Sequence, residues 1–317
     1  MIRHVLAAAL LAGGCAAAGA ARADSYPSRP IQFIVPFTAG NVVDINARAF
    51  ADAFKKEIGG TVVVVNRDGA AGMIGMAAVA NAAPDGYTLF FGPNGQLTLQ
   101  PHLRKNLPYK VDQVVPICLT FETPFAIVVR PDSPHQTFAD LIAAGRRAPG
   151  KISYGLSGIG SIPHLLFHMV AVRAKTEFNA VAYKNYALLV PDISAARTEF
   201  GVMAFGSFQS PPMKMLAVLR EKRHPRYPDV PTTTELGFPA ESAAFGGVYA
   251  PAGTPKAVLD KIEAACERAL KEPAVRRVLE DTGAVTEFEG REGFAKRLAA
   301  DSKNKAEAVK LLNLEVQ

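Results

Sequence analysis

Two short glycine-containing segments of the chain have the composition of anion-binding loops. Each follows an apolar run and precedes a segment with helical spacing of its apolar residues. A loop that ends at a helix N-terminus offers unpaired backbone N–H groups and the positive end of the helix dipole. Glycine leaves these groups open to a ligand because it has no Cβ. The candidate contact residues are Phe37, Thr38, Ala39, Gly40, Asn41, Ser157, Gly158, Ile159, Gly160 and Ser161.

Further candidates surround these two loops. Asp44 lies where the N-cap of the first following helix would be, and Asn94 and Gly95 end another strand-like run. Both loops lack Lys and Arg, so we expect backbone N–H groups of residues 38–41 and 158–161 to hold the anion. The hydroxyls of Thr38 and Ser161 would assist them. The wider predicted site adds His164 and Phe205.

Near-matches to catalytic and cofactor motifs each fail at a required position. Residues 155–159 (GLSGI) lack the last glycine of the G-x-S-x-G nucleophile elbow, and residues 158–163 (GIGSIP) lack the last glycine of a dinucleotide fingerprint. Residues 69–75 have no following Lys-Ser or Lys-Thr, which a P-loop requires. His164 and His168 lie one helical turn apart, but the sequence offers neither the Glu of H-E-x-x-H nor a third ligand. We therefore predict no catalytic residue, metal or cofactor.

These loops need a scaffold in which strands alternate with helices. That alternation predicts an α/β fold with parallel strands and right-handed crossovers, and the strand–loop–helix order restarts after about residue 125 as a second domain. Open sheets of this kind bind ligands at the carboxyl ends of their strands. The predicted strands are 31–37, 61–66, 87–91, 125–130, 151–155, 178–183, 200–205, 215–219 and 245–250. The predicted long helices are 137–147, 163–173, 254–271, 273–281 and 292–312.

The first 23 residues have the features of an export signal. Arg3 supplies the positive start, and the apolar core that follows is too short to span a membrane. Ala21-Arg22-Ala23 fits an A-x-A cleavage site, so we predict cleavage after Ala23 and a periplasmic protein. Cys15 leaves lipid anchoring as an alternative, although the residue three places before it is not a large aliphatic one.

Composition excludes some partners. The 317 residues are 49% hydrophobic, enough for one large or two medium domains, and the formal net charge is +6. The densest basic segment, residues 220–226 (REKRHPR), has no interleaved aromatic residues, so we predict no nucleic-acid partner. Cys118 and Cys266 could pair in an oxidising compartment, but the simpler interpretation is that Cys266 packs as a buried apolar residue.

Several blocks, in order along the chain, resemble the Bug-type extracytoplasmic solute-binding proteins of tripartite tricarboxylate transporters. The common opening of that family reads approximately YPSRPIRLIVPFPPGGGTDIVAR, and residues 26–48 match much of it. The opening match covers Tyr26–Pro30, Ile34–Phe37, Gly40, Asp44, Ile45, Ala47 and Arg48. The later matching blocks are Val65–Gly75, Ala83–Thr88, Gly158–His164, Asp229–Thr232 and Ala250–Pro255.

The resemblance implies a two-domain, periplasmic-binding-protein-like α/β fold. Each domain would be a mostly parallel sheet flanked by helices, and two hinge crossings, near residues 122–126 and 246–250, would join them. Residues 24–124 and 247–317 would form domain 1, and residues 125–246 would form domain 2. A ligand would lie in the cleft that the hinge closes.

The resemblance also implies a function without catalysis. The chain would be a monomeric receptor that captures a small di- or tricarboxylate, or a similar organic anion, for the membrane permease subunits of such a transporter. Tyr183 and Lys184, which match the family's Tyr-Lys-Gly, join the candidate ligand contacts. The alternatives are a sensor subunit that signals to a membrane kinase, a family member with altered or lost binding, and, more distantly, a hydrolase that uses Ser157.

Three departures from the family pattern bear on binding. Asn41-Val42-Val43 replaces the usual Gly-Gly-Thr, and valine disfavours positive φ. Asn185 replaces the glycine of Tyr-Lys-Gly, where a left-handed turn is expected to persist. The segment 201–214 is several residues shorter than usual, at a place that normally leads into a helix beside the cleft.

Overall fold

The structure is a computed structural model of the 317-residue chain and describes residues 26–208, 212–239, 244–285 and 288–311. The predicted export signal, its cleavage site after Ala23 and Cys15 lie outside these residues. Within the described ranges, no helix has the length and apolar character that crossing a bilayer requires.

The described residues form an α/β fold, as predicted. The strands are β1 (Ile31–Val35), β2 (Val62–Asn66), β3 (Thr88–Pro93), β4 (Val114–Thr123), β5 (Phe125–Val129), β6 (Ser153–Leu156), β7 (Asn179–Ala182), β8 (Phe200–Ala204), β9 (Lys214–Val218), β10 (Ala244–Pro251) and β11 (Glu289–Gly290). The helices are α1 (Val42–Ile58), α2 (Met73–Ala80), α3 (Gly95–Thr98), α4 (Gln100–Leu103), α5 (Phe138–Arg147), α6 (Ile162–Arg173), α7 (Tyr186–Ser194), α8 (Lys256–Lys271), α9 (Pro273–Asp281) and α10 (Arg291–Leu311). Single 3-10 turns lie at Ala70–Gly72 and Val111–Gln113.

The strands form two sheets, one in each domain. The first has the order β11-β4-β10-β3-β1-β2, and the second has the order β7-β6-β8-β5-β9. β1 pairs in parallel with β2 and β3, and β6 pairs in parallel with β7 and β8. β10 is antiparallel to β3 and β4, and β5 is antiparallel to β8 and β9.

Both sheets are therefore mixed, and the expectation of mostly parallel sheets is wrong. The reason lies in the chain path. The chain leaves the first domain through β4 and returns through β10, so the two strands run in opposite directions and pair antiparallel. The parallel portion of each sheet is the part that carries the predicted loops, because those loops follow β1 and β6.

Aromatic packing fixes the strand and helix on either side of the first loop. Phe33 of β1 packs on Phe50 and Phe54 of α1 with ring centroids 6.0 and 5.2 Å apart, and Phe91 of β3 lies 6.0 Å from Phe33. All four side chains are buried. Burial of each contributes about 1.5–3 kcal/mol. The strand and the helix on either side of the loop are thus packed firmly against each other.

The chain crosses between the domains at two places. The first crossing is the single residue Pro124, between β4 in one sheet and β5 in the other. The second lies before Ala244, because β10 pairs with the first sheet from Ala244 onward. The predicted boundary at residue 246 is therefore too late. The last helix, α10, packs on β4, while Ala308 and Val309 near its end join the core of the second domain.

A disulfide joins the middle of the first sheet to a helix that covers it. Cys118 of β4 and Cys266 of α8 are bonded, and both are fully buried. The simpler sequence interpretation, an unpaired buried Cys266, is wrong. Apolar spacing along α8 correctly placed Cys266 in the core, but the partner comes from a strand 148 residues away in sequence.

Removal of this disulfide should destabilise the protein without changing the cleft. A cross-link over 148 residues restricts the unfolded chain, so the double variant Cys118→Ala/Cys266→Ala should lose about 2–5 kcal/mol of unfolding free energy. Urea denaturation of the oxidised wild type, the reduced wild type and the variant measures this. Reductant should leave the variant unaffected. Two free thiols in the untreated, denatured wild type would contradict the pairing.

Candidate ligand-binding site

The buried carboxylate of Asp44 locks the first loop in place. Its Oδ2 accepts hydrogen bonds from the Gly40 N–H at 2.9 Å and from Arg48 Nε at 3.0 Å. Its Oδ1 accepts from Arg48 Nη2 at 2.9 Å and from Asn66 Nδ2 at 2.8 Å. Burial acts to raise the pKa of Asp44, but these hydrogen bonds outweigh it and keep the pKa below its usual value. Asp44 is thus a structural anion within the loop.

The N-cap of α1 is Asn41, so the prediction that Asp44 is the cap is wrong. The Asn41 side chain accepts the Val43 N–H at 3.0 Å, and α1 begins at Val42. Within this loop Gly40 has a positive φ, 80°, whereas Asn41 is extended at −67°. The replacement of Gly-Gly-Thr by Asn41-Val42-Val43 is therefore tolerated, because Asn41 is extended and the valines are the first helical residues, so none of the three needs a left-handed conformation.

The second loop repeats this arrangement 120 residues later. Gly160 has a φ of 78°, Ser161 is the N-cap, and α6 begins at Ile162. The Gly160 N–H donates to Nδ1 of His164 at 3.2 Å, as Gly40 donates to Asp44. The Ser161 hydroxyl makes no capping bond. The two loops are thus equivalent in backbone geometry, with an imidazole in one where the other has a carboxylate.

This geometry changes the predicted set of ligand donors. The N–H groups of Gly40, Asn41, Gly160 and Ser161 already bond within their own loops, so the other predicted N–H groups of these loops are the more available ones. Among the described residues, the first N–H groups of α1 and α6, at Val42 and Ile162, have no acceptor. The N–H groups of residues 38, 39, 158 and 159 likewise have none. Helix residues that sequence reasoning overlooked thus supply the best-placed donors.

The hydroxyls expected to assist are unpaired. Thr38 Oγ1 and Ser161 Oγ are buried and have no hydrogen-bond partner among the described residues. A buried hydroxyl without a partner costs about 1–3 kcal/mol. Both can therefore form a further hydrogen bond, and Ser161 belongs to the residues that line the cavity between the domains.

A cavity of about 60 Å³ lies between the domains and is bordered by both loops. This is the space open to the centre of a water-sized sphere, about four to six times what one water needs. Of the predicted residues, six line it: Phe37, Asn41, Gly95, Ser157, Gly160 and Ser161. The lining residues that were not predicted are Val42, Val43, Ala71, Pro93, Gln96, Leu99, Gln100, Phe121, Thr123, Phe125, Ile162, Pro163, Tyr186, Ala204 and Ala244.

The other predicted loop residues lie beside or behind this lining. Thr38, Ala39, Gly40, Gly158 and Ile159 belong to the two loops but are not part of the cavity wall. Asp44 and His164 are also outside it, because each is turned back onto the glycine of its own loop.

Asn94 is part of a buried polar network and does not line the cavity. Its N–H donates to Phe245 O at 2.8 Å, and its Nδ2 donates to Asp301 Oδ2 at 2.6 Å. Asp301 pairs with the fully buried Lys305 at 2.6 Å, and Lys305 also donates to Thr98 Oγ1 at 2.9 Å. Burial lowers the pKa of Lys305, and Asp301 partly offsets this. The network ties α10 to α3, which borders the cavity.

Three further predicted residues lie away from the cavity wall. Tyr183 Oη donates to Asp192 at 2.8 Å, and Lys184 is exposed. Phe205 is buried and stacks on His224, with centroids 4.8 Å apart. Each packs within or on the second domain.

The two remaining departures from the family pattern also have structural outcomes. Asn185 is extended, with a φ of −154°, and caps α7 by accepting the Leu188 N–H at 3.0 Å. The expected left-handed turn is therefore not formed. Between β8 and β9, the described residues contain no helix, in agreement with the shortened segment.

Sequence reasoning missed the polar side chains that line the cavity outside the loops. Gln96 and Gln100 lie four residues apart, directly after the predicted pair Asn94 and Gly95, and this helical spacing was an available signal. Thr123 lies next to the crossing at Pro124. Tyr186 belongs to α7, which the sequence analysis did not predict.

The family comparison agrees with this geometry. Residues 46–314 match the model described as "Tripartite tricarboxylate transporter family receptor". The chain belongs to this family. It is 34% identical to protein BugT of Bordetella pertussis, covering 83% of this chain and 82% of BugT. It is 35% identical to a UPF0065 protein from the tcbD-tcbE intergenic region of Pseudomonas sp. strain P51, covering 90% of this chain and 86% of that protein.

Solved structures of similar proteins have the same two-domain fold. Periplasmic binding protein BugD superposes with a TM-score of 0.85 at 31% identity, over 92% of this chain and 100% of BugD. MatC of Rhodopseudomonas palustris, with bound malate, superposes with a TM-score of 0.83 at 25% identity, over 90% of this chain and 100% of MatC. R. palustris Rpa4515, with adipate, superposes with a TM-score of 0.85 at 26% identity, over 91% of this chain and 98% of Rpa4515. The predicted family and the two-domain periplasmic-binding-protein fold are confirmed.

In this family member, the polar groups of the cavity wall are neutral. No charged side chain of a described residue lines the cavity. Tyr186 Oη donates to Ser157 Oγ at 3.3 Å, and burial raises the pKa of Tyr186 to about 12. The phenol therefore stays protonated at neutral pH. Ser157 faces a hydrogen-bond donor, whereas a nucleophilic serine needs a base.

His164 is the ionisable group of the second loop. Burial, with a smaller effect from His168, lowers the pKa of His164 to about 4. Its neutral Nδ1 is the acceptor for the Gly160 N–H, and a protonated ring would have no acceptor to offer. The second loop thus depends on an uncharged imidazole.

This dependence should make the protein less stable in acid. The unfolded chain binds a proton at His164 below pH 6.5 and the folded chain only below about 4, so stability falls between these values as pH falls. The share of this loss that comes from His164 between pH 7 and pH 4 is about 3 kcal/mol. In the variant His164→Gln, the glutamine Oε1 can accept the same bond from the Gly160 N–H and does not titrate. The unfolding free energy of this variant should therefore fall by about 3 kcal/mol less than that of the wild type over the same pH range. Urea unfolding at both pH values measures this.

His168→Gln is the matched control. It keeps the His164 imidazole and its bond from the Gly160 N–H, so the acid sensitivity that comes from His164 should persist. Equal acid losses in wild type and His164→Gln would show that the imidazole does not stay neutral in the folded protein.

Proposed function

We propose that this chain is a periplasmic receptor that captures a small organic carboxylate between its domains and delivers it to a membrane permease of the tripartite tricarboxylate type. One observation carries the proposal. The unbonded first N–H groups of α1 and α6 come from different domains and belong to residues that line the same cavity. Each lies at the positive end of a helix, where an anion is stabilised.

These donors suffice for an anion without a cationic side chain. A hydrogen bond to a charged group contributes about 1.5–3 kcal/mol. The N–H groups of Val42 and Ile162, with the Ser161 hydroxyl, offer several such bonds. Micromolar binding corresponds to about 8 kcal/mol, after the cost of immobilising the ligand. Backbone donors of this kind reach that range together with burial of the ligand's apolar atoms.

The cavity itself indicates the class of ligand. Its small volume suits a compact acid and not a peptide or oligosaccharide, and most of its wall is apolar. The structural neighbours with bound malate and adipate support a carboxylate. We propose capture without chemical turnover, by a monomer.

Closure of the hinge would signal occupancy to the permease. The domains are joined through Pro124 and through the segment before β10, and Gln100 Nε2 of the first domain donates to Gly160 O of the second at 2.8 Å. A ligand held by both loops favours the closed form, because only that form makes both sets of contacts.

Ser161→Ala tests the site directly. The hydroxyl makes no capping bond and has no partner, so its loss should not lower the stability of the free protein while removing one hydrogen bond to the ligand. We expect affinity for a small dicarboxylate to fall about 10- to 150-fold. Lys184→Ala, at an exposed position outside the cavity, is the control and should bind as wild type does. Titration calorimetry on malate, succinate and adipate, with thermal melts of each variant, measures both effects.

Two results would refute this assignment. A folded wild type that binds no small carboxylate would remove the proposed function. Loss of binding in Lys184→Ala with none in Ser161→Ala would move the site to a side-chain ion pair.

Export makes a separate prediction. The mature protein from a bacterial envelope should begin at Asp24 and carry no lipid, because Ala21-Arg22-Ala23 precedes that residue. Intact-mass spectrometry checks this. A diacylglyceryl adduct on Cys15 would instead mean membrane tethering.

A further inference from the structure

Two glutamine side chains of the cavity wall each present an unused acceptor. Gln96 of α3 and Gln100 of α4 lie four residues apart, both line the cavity, and both are 2% exposed. Oε1 of each is buried and accepts no hydrogen bond from any described residue. Buried amide oxygens without a donor are unfavourable, so each calls for a hydrogen-bond donor from outside the protein.

The orientation of both amides is fixed by their other end. Gln96 Nε2 donates to Ala71 O at 2.8 Å, and Gln100 Nε2 donates to Gly160 O at 2.8 Å. Both partners are backbone carbonyls, which only accept, so a flipped amide would set oxygen against oxygen. Gly72 confirms the tight fit of Gln96, because a Cβ there would lie 2.2 Å from Nε2. The oxygens, and not the nitrogens, are therefore the free groups.

The charge of the wall decides what kind of donor fits. A carboxylate would repel these oxygens, and an ammonium would find no counter-charge in the cavity wall, since no charged side chain of a described residue lines the cavity. The Asp44 carboxylate is engaged by Gly40, Arg48 and Asn66. A neutral O–H or amide N–H meets neither penalty.

We propose that Gln96 and Gln100 select carboxylates that also carry a neutral hydrogen-bond donor, a hydroxyl or an amide, over the unsubstituted acid and over the amino acid of the same length. This rests on the proposed carboxylate function. The helix N-termini bind the charge, and the glutamine oxygens read the substituent. The two glutamines are thus specificity-determining residues.

Matched ligand series test this selection. Titration calorimetry compares succinate, malate and aspartate, then glutarate, 2-hydroxyglutarate and glutamate, then benzoate, 3-hydroxybenzoate and 3-aminomethylbenzoate. Within each series that binds, the hydroxy acid should bind up to about 10-fold tighter than either companion, because its single O–H can donate one neutral hydrogen bond to either glutamine oxygen.

The variant Gln96→Met/Gln100→Met removes both acceptors at constant side-chain length. Its preference for the hydroxy acid should collapse to about one, whereas a purely structural defect would weaken all three ligands of a series equally. The single variants identify the acceptor, because only loss of the glutamine that receives the O–H should remove most of the preference. Circular dichroism and thermal melts establish that the variants fold.

The outcomes separate the two proposals. Equal binding of the three acids by wild type, or an unchanged preference in the double variant, would overturn the selection while leaving the carboxylate receptor intact. A folded wild type that binds no acid of any series would overturn both. Tighter binding of the amino acid would show that the oxygens read a cation.

Discussion

The antiparallel pairing of β4 with β10 is the constraint on which the rest of the molecule depends, because the chain leaves the first domain through β4 and returns to it through β10. The two strands approach so closely that a Cβ on Gly247 would lie 1.9 Å from Cys118 O, so this position is restricted to glycine. At the end of β4, Glu122 pairs with Arg220 of the second domain at 3.3 Å and with Arg297 of α10 at 2.7 Å. All three side chains are about one quarter exposed or less. The chain crossing at Pro124, the disulfide and the ion pairs of Glu122 thus all involve β4 or its partner β10. These two strands also contribute residues to the wall of the cavity.

The two loops show two chemical solutions to one geometric requirement. In each, a glycine with positive φ turns the chain into a helix and its N–H must be satisfied from within. Asp44 does this with a charge that Arg48 neutralises, whereas His164 does it with a neutral ring. Both choices leave the loop without net charge facing the cavity, so the helix N-termini remain the local source of positive potential.

Local signals in the sequence were sufficient for most elements, and long-range geometry was not. Apolar runs and helical spacing predicted the loops after β1 and β6, because those patterns depend on neighbouring residues. Pro116 within β4 and Pro191 within α7 concealed both elements, since proline disfavours strand and helix interiors alike. The site was predicted in its loops but not at Gln96 or Gln100, whose placement depends on carbonyls 25 and 60 residues away. The predictions about the disulfide and the sheets failed for the same reason. Each feature depends on where β10 and α8 lie after the chain returns to the first domain.

The buried pair of Asp301 and Lys305 has a consequence for how the family diversifies. Breaking one partner of a buried ion pair costs about 3–5 kcal/mol, so a substitution at Asp301 or Lys305 alone should destabilise the contact with Asn94 and Thr98. It sets the position of α3 from a helix whose contact residues lie 207 positions later in the chain. If the cleft residues of a relative replaced those of this chain, α3 would therefore pack against an α10 of different sequence unless α10 was exchanged as well. Recombination that separates the two halves of the coding sequence should be selected against, even where every ligand contact is preserved.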